Sequence, residues 1–216
     1  MKYSKYLLIL AVCFTGCSNK TNQEKSSSIE TETKKERSVE FKKIDPKKIP
    51  GNIIEMIADE WMLITAGNKE SYNTMTAGWG GLGNLWSKPT SICYIHPDRY
   101  TFGFIEKEEY YTLCFFDGEY RQALQFCGSK SGRDYKNKNK AEEAGLTPAY
   151  TENGAVYFKE AYLVLECKKL YSDQFRREYF ATNVVMENRI GEKSIYNEQE
   201  TYHKFYMGEI TNCMIR

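Results

Sequence analysis

The chain has 216 residues, a length that suits one globular domain with additional segments. Hydrophobic residues make up 41%, charged residues 27% and aromatic residues 14%, which is a globular composition with a high aromatic content. The net charge of +1 is unevenly distributed, because residues 17–50 carry nine Lys and Arg against six Asp and Glu, whereas residues 51–216 carry nineteen against twenty-three. An acidic main domain argues against nucleic-acid binding, which needs a basic surface, but leaves room for a local pocket for one phosphate.

The N-terminus has the order of features found in an export signal. Two lysines precede an apolar run over residues 6–14, which matches the hydrophobic region of a signal peptide and is too short to span a bilayer. Residues 14–17 (FTGC) resemble a bacterial lipobox, in which the cysteine is acylated. We therefore predict a lipoprotein signal peptide over 1–16 and lipidation at Cys17, on the periplasmic side or cell surface of a bacterial membrane. The alternative is a buried N-terminal helix with two incidental cysteines.

A polar segment rich in Ser, Thr, Glu and Lys follows the signal and occupies residues 17–45. Because it has too few apolar residues to bury, the sequence predicts a flexible tether there and a globular domain over 46–216. Five cysteines in this domain show no regular spacing, and most have apolar neighbours, so they are expected to be buried thiols rather than a readable disulfide framework. They are Cys93, Cys114, Cys127, Cys167 and Cys213.

Hydrophobic patterning predicts that strands predominate in the first half of the domain. In chain order the pattern predicts a short helix or turn over 52–59, strands over 61–66 and 73–79, a glycine-interrupted stretch over 78–83, a strand over 91–95, a helix over 100–109 and a strand over 111–116.

The second half begins with a helix over 117–127, where apolar residues fall on a single face. It continues with a charged helix over 136–144, strands over 156–158 and 161–170, a short helix from 172 or 173 to 179, and a last strand over 202–210. Many strands with short helices between them predict a mainly β fold with helical insertions, in the form of a closed barrel.

Four stretches in this order resemble the flavin reductase-like family, whose fold is the FMN-binding split β-barrel. They are residues 73–79 (NTMTAGW), 97–101 (PDRYT), 127–134 (CGSKSGRD) with 143–148 (EAGLTP), and 202–210 (YHKFYMGEI). The similarity covers about residues 50–212, and the combination of all four is more specific than any one of them.

The resemblance implies a non-covalently bound FMN. It assigns the strand residues Asn73, Thr74, Met75, Thr76 and Ala77 to the isoalloxazine ring and ribityl chain, with Thr76 as a hydrogen-bond donor. It assigns to the phosphate and chain Arg99, Tyr100, Thr101, Ser129, Ser131, Gly132, Arg133 and Asp134. The SKSGRD loop has the hydroxyls, the small residue and the guanidinium that a phosphate site requires, although a solvent loop whose Asp134 caps the next helix is the alternative.

Several other features have a structural alternative. The family has an Asp-Lys step soon after its SGRD, whereas here lysines at 136, 138 and 140 are spread over a longer run that is expected to be a solvated charged surface. Cys93 and His96 are two possible zinc ligands without a second pair nearby, so no metal is predicted. Trp79 and Trp86 either line the ring or fill the core, and His203 is expected to pack near the flavin.

The function implied by the resemblance is an oxidoreductase that transfers electrons or hydride through FMN, with an unidentified donor and acceptor. No side chain demands a role as general acid or nucleophile, so no catalytic residue is assigned. The alternatives are a non-catalytic flavin-binding lipoprotein and a split barrel that binds haem or another flat molecule instead. By analogy with the family a homodimer is expected.

Overall fold

A computed structural model of the chain describes residues 40–135, 139–181 and 201–216. The chain divides into two compact units, Met1–Ser38 and Val39–Arg216. The predicted signal peptide, the lipidation site at Cys17 and most of the predicted tether lie outside the described residues. Within the described ranges, none of the helices is long and apolar enough to cross a membrane.

The second unit is built mainly from β-strands. These are β1 (Lys42–Lys43), β2 (Met62–Gly67), β3 (Tyr72–Ala77), β4 (Gly80–Leu85), β5 (Lys88–Ile95), β6 (Tyr110–Phe115), β7 (Pro148–Tyr150), β8 (Val156–Phe158), β9 (Leu163–Gln174) and β10 (Lys204–Ile215). The α-helices in the described residues are α1 (Ile53–Glu55), α2 (Tyr100–Lys107), α3 (Arg121–Ser129) and α4 (Lys140–Glu143). A π-helical turn, Met56–Glu60, links α1 to β2.

Eight strands form one antiparallel sheet in the order β3-β2-β6-β9-β10-β5-β4, with β1 added to β10. The long strand β10 organises this sheet, because it pairs with β9 over its whole length and with β5 and then β1 on its other side. Strands β7 and β8 form a separate two-stranded hairpin. The mainly β class with helical insertions is thereby confirmed.

The sheet buries a hydrophobic core on each of its faces, as alternating residues along β2 show. Met62 and Ile64 belong to a cluster with residues of β5, β6, β9 and β10. Leu63, one position between them, belongs to a second cluster that α3, α4 and β8 cover. Side chains of a strand alternate between faces, so a sheet covered on both faces buries every residue of a central strand such as β2. All five cysteines of the unit are buried and free, as expected.

The structure differs from the predicted elements at three places. The glycine-interrupted stretch is a regular edge strand, β4, because glycine at 81 and 83 faces open space and costs the sheet no packing. Strand β9 continues to Gln174, where a helix was predicted, because its residues pair with β10. The predicted tether is too long at its C-terminal end, since Lys42 and Lys43 pair with β10 as β1.

A two-residue turn joins β4 to β5 and holds its residues in an unusual conformation. Trp86 and Ser87 have φ values of 52° and 60°, while Leu85 pairs with Lys88 across the turn. Positive φ at both positions matches the twist of a hairpin and is usually adopted by Asn or Gly. A Trp in this conformation costs roughly 1–2 kcal/mol, and Trp86 is 70% exposed, so burial does not recover this cost.

Helix α2, which contributes its N-terminus to the site described below, is fixed at its other end by a lysine. The Lys169 ammonium donates to the carbonyl oxygens of Ile105 at 2.5 Å and Glu106 at 3.1 Å. Carbonyls in the last turn of a helix have no partner within the helix, and a cation there also complements the helix dipole. Burial lowers the pKa of Lys169, as expected for an ammonium taken partly out of water.

We predict that Lys169→Met lowers the free energy of unfolding by about 1–2 kcal/mol, because two charged hydrogen bonds to carbonyls of the last helical turn are lost. The matched control is Lys168→Met at the adjacent position, where the ammonium pairs with Glu109 on the surface at 3.0 Å. Its loss should cost less than about 1 kcal/mol. Urea unfolding of the two variants measures the difference, and equal losses would contradict the role given to Lys169.

Candidate functional site

A polar cavity of about 200 Å³ lies where three segments of the chain meet. Strand β3, the N-terminal turn of α2 and the loop that follows α3 supply its walls. The lining residues are Asn73, Met75, Thr76, Asp98, Arg99, Tyr100, Thr101, Cys127, Gly128, Ser129, Lys130, Ser131, Gly132, Arg133 and Lys140.

The cavity is strongly cationic although the domain around it is acidic. Four of its lining residues are basic, Arg99, Lys130, Arg133 and Lys140, and one is acidic, Asp98. The backbone N–H groups at the start of α2 also border it, where the helix dipole is positive. This combination selects an anion, and the side-chain donors suit a phosphate.

A buried hydrogen bond and a close backbone approach fix the shape of the cavity floor. The Asn73 amide is 2% exposed and donates to the Thr101 hydroxyl at 2.7 Å, which ties β3 to the start of α2. Gly132 packs directly above this pair, so that a Cβ added there would lie 2.1 Å from Asn73 Oδ1 and 2.6 Å from the Tyr100 ring. Only a glycine permits this approach, so the SGRD loop lies against β3.

The remainder of that loop is ordered by its own hydrogen bonds. The Ser131 hydroxyl accepts from the Arg133 N–H at 3.3 Å and begins a 3₁₀ turn, Gly132–Asp134. The Arg133 guanidinium donates to the Asp98 carbonyl at 3.0 Å, and its carbon lies 5.4 Å from the Tyr100 ring centre. One guanidinium N–H group is therefore used for positioning, and the others are left for an anion.

Lys140 is the main correction to the sequence analysis, which expected a solvated lysine. It is 3% exposed, and its ammonium donates to the carbonyls of Cys127 at 2.6 Å and Lys130 at 2.7 Å. Burial lowers its pKa. An ammonium has three N–H donors, so these two bonds close the end of α3 and leave a third donor in a cavity that Lys140 lines. Of the other lysines in this run, 136 and 138 lie outside the described residues.

An apolar cleft of about 510 Å³ adjoins the cavity and shares three of its residues, Thr76, Gly128 and Ser129. Trp61 and Leu124 line it as well. Trp61 is held in place by Arg121, whose guanidinium carbon lies 3.2 Å from the ring centre. A flat apolar cleft that continues from an anion site suits a planar molecule with a phosphate-bearing tail.

The structure brings most of the predicted site residues to the cavity. Those that line it are Asn73, Met75, Thr76, Arg99, Tyr100, Thr101, Ser129, Ser131, Gly132 and Arg133. The Thr76 hydroxyl donates to the Leu124 carbonyl at 2.5 Å rather than into the cavity, which leaves its oxygen as an acceptor.

Three predicted residues do not line the cavity. The Thr74 side chain donates to the Ile64 carbonyl at 3.2 Å and lies in the sheet. Ala77 belongs to the core, and Asp134 is exposed beyond the loop. Thr74 is fully buried, and its hydroxyl also accepts from the Thr65 hydroxyl of β2 at 2.9 Å. Asp98, Cys127, Gly128 and Lys130 lie in the stretches 97–101 and 127–134 but were not assigned to the site. The signal for Lys140 was the lysine that the family carries soon after its SGRD, which the sequence alone could not assign to one of three lysines.

A pair of histidines lies close to the cavity residue Arg99. The rings of His96 and His203 have centres 5.1 Å apart, and the Trp79 ring lies 5.3 Å from His203. The two residues come from the end of β5 and the segment before β10. Burial, and after it the neighbouring charges of His96 and Arg99, lowers the pKa of His203 to about 4.

Comparison with protein families matches residues 55–216 to the flavin reductase like domain. Comparison with curated proteins gives no match. Similar solved structures include flavoredoxin from Methanosarcina acetivorans, with 20% identity and a TM-score of 0.55, over 80% of this chain and 76% of that chain. Flavoredoxin of Desulfovibrio vulgaris (Miyazaki F) has 20% identity and a TM-score of 0.53, over 72% and 69%.

A third similar structure is the FMN-binding protein from Thermus thermophilus with bound p-hydroxybenzaldehyde. It has 15% identity and a TM-score of 0.54, over 80% of this chain and 82% of that chain. At these identities the structures establish a shared fold.

We predict that His203 makes the protein less stable as the pH falls from about 6.5 to about 4. In this interval the unfolded chain binds a proton that the folded ring does not, so unfolding is favoured by acidification, and above about 6.5 the effect vanishes. Because the ring is partly exposed, the loss should be about 1–2 kcal/mol. Urea unfolding across this pH range should show a shallower dependence in His203→Gln. An NMR titration that placed the His203 pKa near its ordinary value would contradict the prediction.

Proposed function

The chain belongs to the flavin reductase-like domain family, and from this membership we propose that it is a flavoprotein that binds FMN without a covalent bond and transfers electrons through it. The observation that carries the proposal is the continuity of the cationic cavity with the apolar cleft, which matches the two chemically different ends of FMN. When bound, FMN supplies the capacity to accept and release electrons.

The cavity suits the phosphate end of the cofactor. Arg133 and Lys140 each retain N–H donors, and the start of α2 adds backbone N–H groups and a positive dipole. Gly132 lets the loop backbone pack against Asn73 and Tyr100, where a Cβ would clash, and so holds the loop at the cavity wall. We infer that these groups hold the phosphate and that Asn73 and Thr101 set their spacing.

The cleft suits the ring end. Met75 and Thr76 lie on β3 between cavity and cleft, with the carbon surfaces of Trp61 and Leu124 beyond them. The Thr76 oxygen is an acceptor, since its proton is donated to Leu124. The chain therefore contributes position and exclusion of water on one face of the ring, and no described side chain needs to donate or accept a proton in the electron transfer.

Three finer features are part of the same proposal. We infer that the antiparallel sheet is the split β-barrel of this family, and that the chain forms a homodimer with the open cleft covered by the second copy. We also infer that the protein is a lipoprotein anchored at Cys17 outside the cytoplasm, as the lipobox-like residues 14–17 indicate. In that location the electron donor is expected to be a membrane or protein carrier.

A third cleft offers one variation on the cofactor. It adjoins the phosphate cavity through Asn73, Gly132 and Lys140 and is lined by Tyr72, Tyr150 and other aromatic residues. A planar base attached beyond the phosphate has a stacking surface there. This arrangement makes FAD the second candidate for the cofactor. The measurement below distinguishes FAD from FMN.

We predict that Arg133→Ala weakens FMN binding by about 1.5–3 kcal/mol, or roughly 10–100-fold, because a charged hydrogen bond to phosphate is lost. Riboflavin has the same ring and ribityl chain without the phosphate, so its affinity should change little. Titration of the chain from Ser18 onward with FMN, riboflavin and FAD, followed by flavin fluorescence, measures all three. Arg176→Ala, which removes a surface arginine that pairs with Asp173 at 3.0 Å outside the cavity and the cleft, is the matched control for loss of charge.

An equal loss of affinity for riboflavin in Arg133→Ala would contradict a phosphate role for this residue. Failure of the folded wild-type chain to bind any of the three flavins would overturn the cofactor assignment. Binding of FAD much more tightly than FMN would make the third cleft part of the cofactor site.

We predict that the FMN-loaded chain oxidises a reductant at least about tenfold faster than the same concentration of free FMN, because the protein holds the ring in one orientation towards its partner. Stopped-flow reduction by NADH, NADPH and a soluble quinol, followed by reoxidation, measures this rate. Rates equal to those of free FMN with all three donors would favour the alternative of a non-catalytic flavin-binding protein.

A further inference from the structure

The first described residues of the chain and the turn between β4 and β5 lie at the same end of the sheet. Strand β10 pairs with β5 from Lys204 to Glu209, and on the same side it pairs with β1 at Met214 and Ile215. Antiparallel pairing places the start of β5 near the middle of β10, so the β4–β5 turn points along β10 towards β1. The segment that follows β1 contacts β10, and α1 contacts β4.

This end, which we name the hairpin end, consists of residues 40–55 and the turn 86–87. Two large apolar side chains are strongly exposed there. Ile54 is 78% exposed and Trp86 is 70% exposed. The sequence predicts that Trp86 lines the ring or fills the core, and its exposure excludes the core. Its exposure is the more notable because the turn holds it at a positive φ.

The segment 40–55 of the hairpin end carries four exposed lysines. They are Lys42, Lys43, Lys47 and Lys48. The acidic residues in the same segment are Glu40, Asp45 and Glu55. Asp45 Oδ1 accepts a hydrogen bond from the backbone N–H of Lys47 at 3.0 Å. Lys88, just after the turn, pairs with Glu209 at 2.6 Å. The hairpin end is therefore mildly basic, whereas residues 51–216 as a whole carry nineteen basic against twenty-three acidic residues.

An exposed indole at the tip of a turn, an exposed aliphatic side chain and exposed lysines at one end of the sheet are features of a surface that sits at a lipid headgroup layer. Acidic parts of the domain surface would be repelled from an anionic bilayer, whereas the hairpin end combines basic and exposed apolar side chains and can approach it. The chain also enters the described fold at Glu40, immediately before β1, so any anchor on the preceding segment is connected to this same end.

We propose that the hairpin end is a membrane-contact surface that inserts Trp86 and Ile54 into the headgroup region of an anionic bilayer. This contact would orient the domain on the membrane, whether or not a lipid tethers it. The proposal does not rest on flavin binding.

The test uses the chain from Ser18 onward, which retains the whole compact unit and lacks Cys17, so that acylation cannot cause binding. Flotation with vesicles of phosphatidylcholine and phosphatidylglycerol, at roughly two to one, measures the partition coefficient. We expect binding that weakens about tenfold or more in Trp86→Ser, because the buried indole is lost. We expect a loss of roughly fivefold per lysine in Lys47→Ser with Lys48→Ser, and little binding to phosphatidylcholine alone.

Two matched controls come from elsewhere on the surface. Tyr179→Ser removes an aromatic side chain that is 76% exposed, in a turn that follows β9 near the opposite end of β10. Lys69→Ser with Lys107→Ser removes two exposed lysines outside the hairpin end. Neither control should change binding to the vesicles, and thermal unfolding should verify that every variant is folded.

A second readout reports insertion directly. Brominated lipids quench tryptophans that enter the bilayer, so Trp86→Phe should remove most of the quenching, while Trp79→Phe should retain it. The proposal is overturned if the wild-type chain does not bind anionic vesicles, or if Trp86→Ser binds as well as wild type. It is also overturned if Trp86 instead supports self-association in the absence of vesicles, since the surface then belongs to a second copy of the chain.

Discussion

The hydrogen bond between the Asn73 amide and the Thr101 hydroxyl is the contact on which the candidate site depends. It joins β3 to the start of α2 inside the protein, where both residues are almost fully buried. The loop after α3 then packs on this pair through Gly132, at a distance that excludes any Cβ. Three segments that are far apart in sequence thereby form the floor of the cavity. Because these contacts fix the segments relative to one another, they also fix the spacing of the basic groups around the cavity.

Charge in the cavity is provided by groups that also have structural bonds. Lys140 closes the end of α3 through two carbonyls, and Arg133 holds the Asp98 carbonyl. A buried ammonium is costly unless it is hydrogen-bonded, so these carbonyls make it possible to keep a cation in the wall before any ligand binds. Preorganised donors of this kind reduce the entropy that ligand binding would otherwise cost.

Much of this site could be predicted from the sequence, because the SGRD and NTMT motifs depend on local chemistry. The parts that could not be predicted depend on tertiary contacts. Lys140 looked like one of several solvated lysines, and only its packing under α3 makes it a cavity residue. Likewise, the glycines of β4 suggested a break in regular structure, whereas pairing with β5 makes them an edge strand. Hydrogen bonds to β2 hold the Thr74 side chain within the sheet, which a motif alone does not reveal.

The cavity and the hairpin end attract different anions by different means. The domain is acidic overall, so neither the cavity nor the hairpin end can rely on a long-range positive field. The cavity instead uses short, partly buried donors, which salt screens little. The hairpin end has exposed lysines, which salt screens strongly, and must add apolar contact through Trp86 and Ile54. Local geometry, rather than net charge, thus determines which anion each surface can hold.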